Sequence, residues 1–205
     1  NEKLYGQLTG PTVSLYKMIG RKNIIISSED GGAQVARHFC GTGRTHIGYL
    51  GPISSQYGND KLAGLQAGLE SCGQKIETVL DCDQHDTAEN QKAYQLFTHY
   101  LTENDPRRID AWLAHSDIAA SDMIRALMEH GVRVPEEVSV CGYNDTLLAR
   151  KMIPSLSSVA SPIDEIARMA ITLLQHAIDQ DDTPETVYLS PHLIVRESSA
   201  VKFTK

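Results

Sequence analysis

Gly131-Val132-Arg133-Val134-Pro135-Glu136-Glu137-Val138-Ser139-Val140-Cys141-Gly142-Tyr143-Asn144-Asp145 is the stretch whose reading decides the fold. His130-Gly131 closes an amphipathic helix, because glycine takes the left-handed conformation that ends helices without a Cβ penalty. Pro135 fixes the entry into Val138 to Tyr143, an apolar, β-rich run of the length of one buried strand. Gly142 lies where that strand ends and the backbone must turn sharply, and Asn144 and Asp145 make the exit polar. Helix, buried strand and polar exit loop make up one repeat of an α/β architecture with a parallel sheet.

Outward from this stretch the same alternation recurs. Further strands are expected at Thr12 to Leu15, Ile24 to Ser27, His46 to Leu50, Ile76 to Leu80, Ala111 to Ala114, Val187 to Leu189 and His192 to Val195. Between them, helical spacing predicts Asp30 to Cys40, Asn59 to Cys72, Thr87 to Leu101, and a helix from Ser116 or Asp117 to His130. A last helix after Pro162 carries Ile163, Ile166, Ala167, Ala170, Ile171, Leu174 and Ile178 at three- and four-residue steps. All five apolar stripes are expected to face core. The acidic segment from Asp179 to Pro184 reads as a solvated loop.

Composition excludes several function classes. The chain has 205 residues, 41% of them hydrophobic, enough to bury a real core. No run approaches the roughly eighteen uncharged apolar residues of a membrane helix, and Asn1 to Gly10 lack the sections of a secretory signal, so no membrane and a cytoplasmic location are expected. The net charge of −7 argues against this segment gripping phosphate backbones, so DNA contact would have to lie outside it. The four cysteines are Cys40, Cys72, Cys82 and Cys141; they form no Cys-x-x-Cys, no His pair stands at ligand spacing, and no metal is expected. They read as ordinary buried or half-buried thiols.

Enzyme signatures are missing as well. There is no Gly-x-Ser-x-Gly elbow, no phosphate-cradling glycine-lysine loop, no His-Glu-x-x-His and no dinucleotide fingerprint, so neither a cofactor nor a catalytic residue is expected. His115 beside Asp117, or His85 beside Asp86, would be the acid/base pairs available, but sequence neighbours on a loop rarely face each other.

In open parallel sheets ligands bind where the carboxyl ends of strands feed into loops. Those loops carry Ser54, Ser55, Tyr57 and Lys61, then Gln84, His85 and Asp86, then Ser116 and Asp117, then Asn144 and Asp145. Hydroxyls, amides and one ammonium on one rim suit a hydrogen-bonding ligand such as a sugar or sugar derivative. The competing reading is that serine, aspartate and asparagine cap helices and tie turns wherever they occur.

Several strings resemble the LacI/GalR family over nearly the whole chain. The opening stretch is similar to that family's G-x-x-V-P-x-D-[IV]-S-V-x-G-[FY]-D-[DN] segment. Gly43 to Gly51 resembles G-H-R-x-I-x-x-[IL]-x-G, and Lys61-Leu62-Ala63-Gly64-Leu65 resembles R-x-x-G-[FY]. Pro154 to Val159 resembles P-x-L-[ST]-T-[VI], and Leu193 to Ser198 the terminal L-[IV]-x-R-x-S. The resemblance implies a periplasmic-binding-protein-like α/β fold: two parallel-sheet sub-lobes with hinge crossovers and an effector between them, the N-terminal lobe incomplete. It assigns 1–26 and 162–189 to that partial N-terminal lobe, and 27–161 and 190–205 to the C-terminal lobe. It further implies an allosteric regulator, a homodimer that positions paired headpieces on operator DNA, the headpieces lying outside these residues.

Pocket positions follow from the resemblance one at a time. Lys61 stands where an effector-binding Arg is usual, replacing a planar fork by a single flexible ammonium. Asn144 stands where an Asp is usual, exchanging an anionic acceptor for a neutral amide. Ser116 falls where a polar residue reaches the ligand, Tyr57 where a small hydroxyl residue is common, and Gln84 in the region where an aromatic often stacks. Tyr16, Ile26 and Ser161 line up near the crossovers. A retained cation with a lost carboxylate points to a phosphorylated sugar or sugar acid as effector. The alternative is a periplasmic-type solute-binding protein, which shares fold and cleft.

Overall fold

The computed structural model describes residues 10–82, 92–179 and 183–200. Its strands are β1 (Val13–Leu15), β2 (Lys22–Ile26), β3 (Ile47–Gly51), β4 (Ile76–Asp81), β5 (Ala111–Ala114), β6 (Ser139–Tyr143), β7 (Ser157–Ala160), β8 (Glu185–Leu189) and β9 (His192–Ile194). Its helices are α1 (Ser28–Gly41), α2 (Gln56–Glu70), α3 (Lys92–Glu103), α4 (Asp117–Glu129), α5 (Leu147–Lys151) and α6 (Ile163–Ile178). The fold is α/β with mostly parallel sheets. Among the described residues no helix is long and apolar enough to cross a membrane.

The chain forms two compact units, Asn1–Ser27 with Ser161–Pro191 and Ser28–Ala160 with His192–Lys205, so it passes from one to the other three times. The first unit is a parallel sheet in the order β1-β2-β8 with α6 packed on it. Asp164 and Glu165 in the first turn of α6 and His176 in its last complement the helix dipole. Ile24, Ile166, Leu173 and Leu189 close its small core, with Val13, Ile26, Met169 and Val187 against them. The expectation that the whole α6 stripe faces core is corrected here, because Ile163, Ile171 and Ile178 are more than half exposed. A three-stranded sheet is narrower than the stripe.

The second unit carries a six-stranded sheet in the order β4-β3-β5-β6-β7-β9, parallel except for the antiparallel pair β7-β9. Strands β3, β5, β6 and β7 are buried along their whole length, which is why β3, β5 and β6 read as apolar runs rather than alternating ones, whereas edge strand β4 alternates. Side chains of successive strand residues separate onto two faces. Tyr49, Leu113 and Cys141 pack with Val35, Phe39, Leu62 and Leu65 of α1 and α2. Leu50, Trp112 and Val140 pack with Phe97, Met123 and Leu127 of α3 and α4, with Trp112 edge-on to Phe97 at 5.1 Å and to Tyr100 at 5.5 Å.

The helices α1 and α2 pack backbone to backbone. A methyl group at Gly64 would fall on the Glu29 carbonyl, and one at Gly68 would stand 2.5 Å from Ala36 Cβ. That close contact fixes α2 against α1.

Two elements were not among those expected. Strand β7 reads Ser157-Ser158-Val159-Ala160, a loop-like composition, yet it is buried because every hydroxyl has a partner. Ser157 N donates to Ser198 Oγ at 2.8 Å, Ser199 Oγ donates to Ser157 Oγ at 2.7 Å, and Ser158 Oγ donates to Asp117 Oδ1 at 2.6 Å. Helix α5 is a short turn of five residues, too brief for periodicity to reveal. Helices α1 and α2 also begin two and three residues earlier than their apolar periodicity suggests, at Ser28 and Gln56.

Candidate functional site

In the second unit, β3, β5 and β6 end side by side and discharge into three short polar loops. The first loop leads to Ser55, the N-cap of α2, whose hydroxyl accepts from Gly58 N at 3.1 Å and donates to Pro52 O at 3.0 Å. Tyr49 donates from below to Gly58 O at 2.9 Å, and its hydroxyl pKa is raised by burial. Tyr57 is exposed on the first turn. Lys61, one turn further, points back at the strand ends.

Lys61 is not the flexible ammonium its residue type suggested. Its Nζ donates to the His115 carbonyl at 2.9 Å, at the end of β5, and lies 3.9 Å from the Tyr143 ring centroid, at the end of β6. Desolvation lowers its pKa to about 8, against the partial support of Asp117. His115 is depressed to about 4, first by burial and then by the Lys61 charge, so its imidazole is neutral at pH 7. Its buried Nε2 has no hydrogen-bond partner among the described residues.

Ser116 caps α4, accepting from Ala119 N at 3.2 Å. Asp117 follows and is almost wholly buried. Its Oδ2 accepts from Thr146 N at 2.6 Å and Thr146 Oγ1 at 2.8 Å, and its Oδ1 accepts from Ser158 Oγ. Burial raises its pKa, opposed by those hydrogen bonds. Gly142 permits the approach, since a Cβ there would stand 2.6 Å from Asp117 Oδ1. Asp117 therefore ties α4 to the β6–α5 loop and to β7, with both oxygens engaged in hydrogen bonds that hold these segments together.

The third loop leaves β6 through two consecutive left-handed residues, Asn144 at φ 102° and Asp145 at φ 48°, both of types that tolerate that region. Asn144 N is held by Val159 O at 2.8 Å while the residue itself is exposed. Asp145 is buried between Arg150 and Arg196, each at 2.6 Å. Its charge is thereby neutralised within the fold.

The structure thus brings Lys61, Ser116 and Asn144 to one rim of the second unit, with Ser55 and Tyr57 on the adjoining first turn of α2. Ser55 and Ser116 are caps, so part of the polar rim is explained by helix termini alone. Tyr16, Ile26 and Ser161 belong to the first unit: Tyr16 has φ 66° and donates to Ile24 O at 2.8 Å, Ile26 pairs with Leu189, and Ser161 O accepts from Ile163 N at 2.9 Å. Gln84, His85 and Asp86 lie outside the described residues. His115 is the residue of this rim that motif reading placed only in a rejected catalytic pair. Its position at the end of a buried strand, next to a capping serine, was the available signal.

A family model described as "Periplasmic binding protein-like domain" matches residues 36–199. The HTH-type transcriptional repressor PurR of Escherichia coli O139:H28 is 28% identical over 181 residues, which are 86% of this chain and 51% of PurR. The chain therefore spans about half the length of the relatives it matches. A LacI-family protein from Sanguibacter keddieii DSM 10542 superposes with a TM-score of 0.80 at 27% identity, covering 93% of this chain and 72% of that one. The transcriptional regulator CelR, solved as a cellobiose complex, superposes with a TM-score of 0.75 at 28% identity over 91% of this chain and 58% of its own. The chain belongs to the family of periplasmic-binding-protein-like domains, as a core of the LacI/GalR type.

Proposed function

We propose that this chain is the ligand-sensing core of a transcriptional repressor, and that its ligand is a small polar metabolite of the sugar class carrying an acidic group, a phosphate or a carboxylate. The observation that carries the reading is Lys61. An ammonium held against a strand-end carbonyl and an aromatic face, at a cost in desolvation, is poised for an anion that restores its charge balance. Asn144 adds a neutral amide beside it, and Asp145 offers no competing anion because Arg150 and Arg196 hold it. The second unit corresponds to the C-terminal lobe of a LacI-type core and the first to part of the N-terminal lobe. Lys61, Ser116, Asn144, Tyr57 and Ser55 contribute from the former.

PurR's description as an HTH-type repressor and CelR's as a transcriptional regulator support a role in transcription, with operator DNA read by a segment outside these residues and with two copies paired on it. Ligand control requires only that the ligand bind one conformation of the protein better than another. The net charge of −7 fits a sensing module that does not itself hold DNA. No catalytic step is assigned to the rim.

Calorimetric titration of the protein with neutral sugars, the matching sugar phosphates and sugar acids tests the ligand class. The expected result is tightest binding to an anionic member, reduced about tenfold or more in Lys61→Met through loss of a charge-assisted hydrogen bond. Tight binding to neutral sugars alone, unaffected by that substitution, overturns the assignment.

A further inference from the structure

The packing of α1 against α2 brings two thiols together at its far end. Gly64 abuts Glu29, and Gly68, one turn later, abuts Ala33 and Ala36. The helices thus run in the same direction and advance together, turn for turn. The next step along α2 is Cys72, and the next along α1 is Cys40. Cys40 Sγ is half-buried and donates to Gln74 Oε1 at 3.7 Å, while Gln74 N is anchored to Leu69 O at 2.9 Å. Cys72 is exposed, with its Sγ 3.5 Å from Gly68 O. Burial first, and then the neighbouring Cys72 side chain, raise the pKa of the Cys40 thiol.

We propose that Cys40 and Cys72 are a redox-active pair that hydrogen peroxide oxidises to an intramolecular disulfide. Cys72, as its thiolate, attacks one peroxide oxygen; the O–O bond breaks, Cys72 becomes a sulfenic acid, and the departing hydroxide leaves as water with the proton Cys72 gave up. The Cys40 sulfur then attacks the Cys72 sulfur, the S–O bond breaks, and the hydroxide released takes the Cys40 proton as a second water. The two sulfurs lose two electrons and the two peroxide oxygens gain them.

The roles follow from position. Cys72 meets solvent first, whereas burial and the neighbouring thiol raise Cys40 to about 11 and keep it protonated as the resolving partner. Cys82 and Cys141 are buried in the two separate cores of the unit, and Cys141 is pushed up to about 12, so neither competes. The bond would join the ends of the two helices at the end of the pair opposite Ser55 and Lys61. This makes the pair a covalent lock on the face that supports the rim.

Treatment of the protein with a few equivalents of hydrogen peroxide, followed by alkylation, digestion and mass spectrometry, tests the assignment. The expected product is a Cys40–Cys72 linked peptide in monomeric protein, reversed by dithiothreitol, with Cys82 and Cys141 still alkylated and the unfolding midpoint raised relative to the reduced form. Cys40→Ser is expected to leave a Cys72 sulfenic acid that dimedone traps, and Cys72→Ser to leave Cys40 as a thiol. Should unsubstituted protein keep both thiols reduced, accumulate dimedone-labelled Cys72 without the linked peptide, or form only disulfides between molecules, the pair is not a redox couple. The unsubstituted protein alone decides between these outcomes, whatever the substitutions do to folding.

Discussion

The desolvated Lys61 makes a prediction that needs no knowledge of the ligand. Its pKa falls from 10.5 to about 8 on folding, equivalent to about 3 kcal/mol of destabilisation when the group is charged in both states. Between pH 8 and 10.5 the unfolded chain binds more protons at this site than the native one, so native stability rises with pH through that window, and below pH 8 the whole penalty is present. Replacement by Lys61→Met removes the titration. It also removes the hydrogen bond to the His115 carbonyl, but that loss is common to every pH above the His115 range and cancels in a comparison. Between pH 7 and pH 10 the parent protein should therefore gain about 2–3 kcal/mol relative to Lys61→Met. Urea denaturation followed through Trp112, the sole tryptophan, reports on the unit that holds Lys61. A difference between the two proteins that stays constant within about 0.5 kcal/mol from pH 7 to pH 10 would refute the reasoning, because the ammonium would then be solvated like any surface lysine.

Two further outcomes follow from neighbouring groups. His115, lowered from 6.5 to about 4, binds fewer protons folded than unfolded between those values, so stability falls as pH drops through that window, by up to about 3 kcal/mol; His115→Gln should flatten that segment of the acid-denaturation curve. Asp117→Ala strands the Thr146 amide and hydroxyl and the Ser158 hydroxyl in a buried setting and should cost about 3–5 kcal/mol in urea unfolding, whereas Asp117→Asn, which keeps an acceptor toward Thr146, should cost less than half of that.

Much of the fold could be read from the chain because fully buried parallel strands announce themselves. Ile47-Gly48-Tyr49-Leu50, Ala111-Trp112-Leu113-Ala114 and Ser139-Val140-Cys141-Gly142-Tyr143 each offer an uninterrupted run that an α/β sheet covered on both faces requires. The helices between them carried their stripes, and the polar residues after each strand marked the rim. The Ser157–Ala160 strand stayed hidden because its signal is not apolarity but reciprocal hydroxyl bonding with Ser198, Ser199 and Asp117, residues distant in sequence. The outer residues of α6 misled in the opposite sense, since helical periodicity reports that a face is apolar and not how wide a sheet will cover it.

The same division holds at the candidate site. Sequence by itself determined that Lys61 is a cation where the family's pattern has a forked guanidinium, and that Asn144 lacks a charge, since residue type is all those statements need. Only the tertiary structure decided what the ammonium does. Its hydrogen bond to the His115 carbonyl, its seat on the Tyr143 ring and its lowered pKa depend on three segments separated along the chain and joined by the sheet. Ser116 and Asp117 show the same limit, a cap and a buried tie that sequence could not distinguish from ligand contacts, because hydrogen-bonding chemistry is a property of the residue while its partner is a property of the fold.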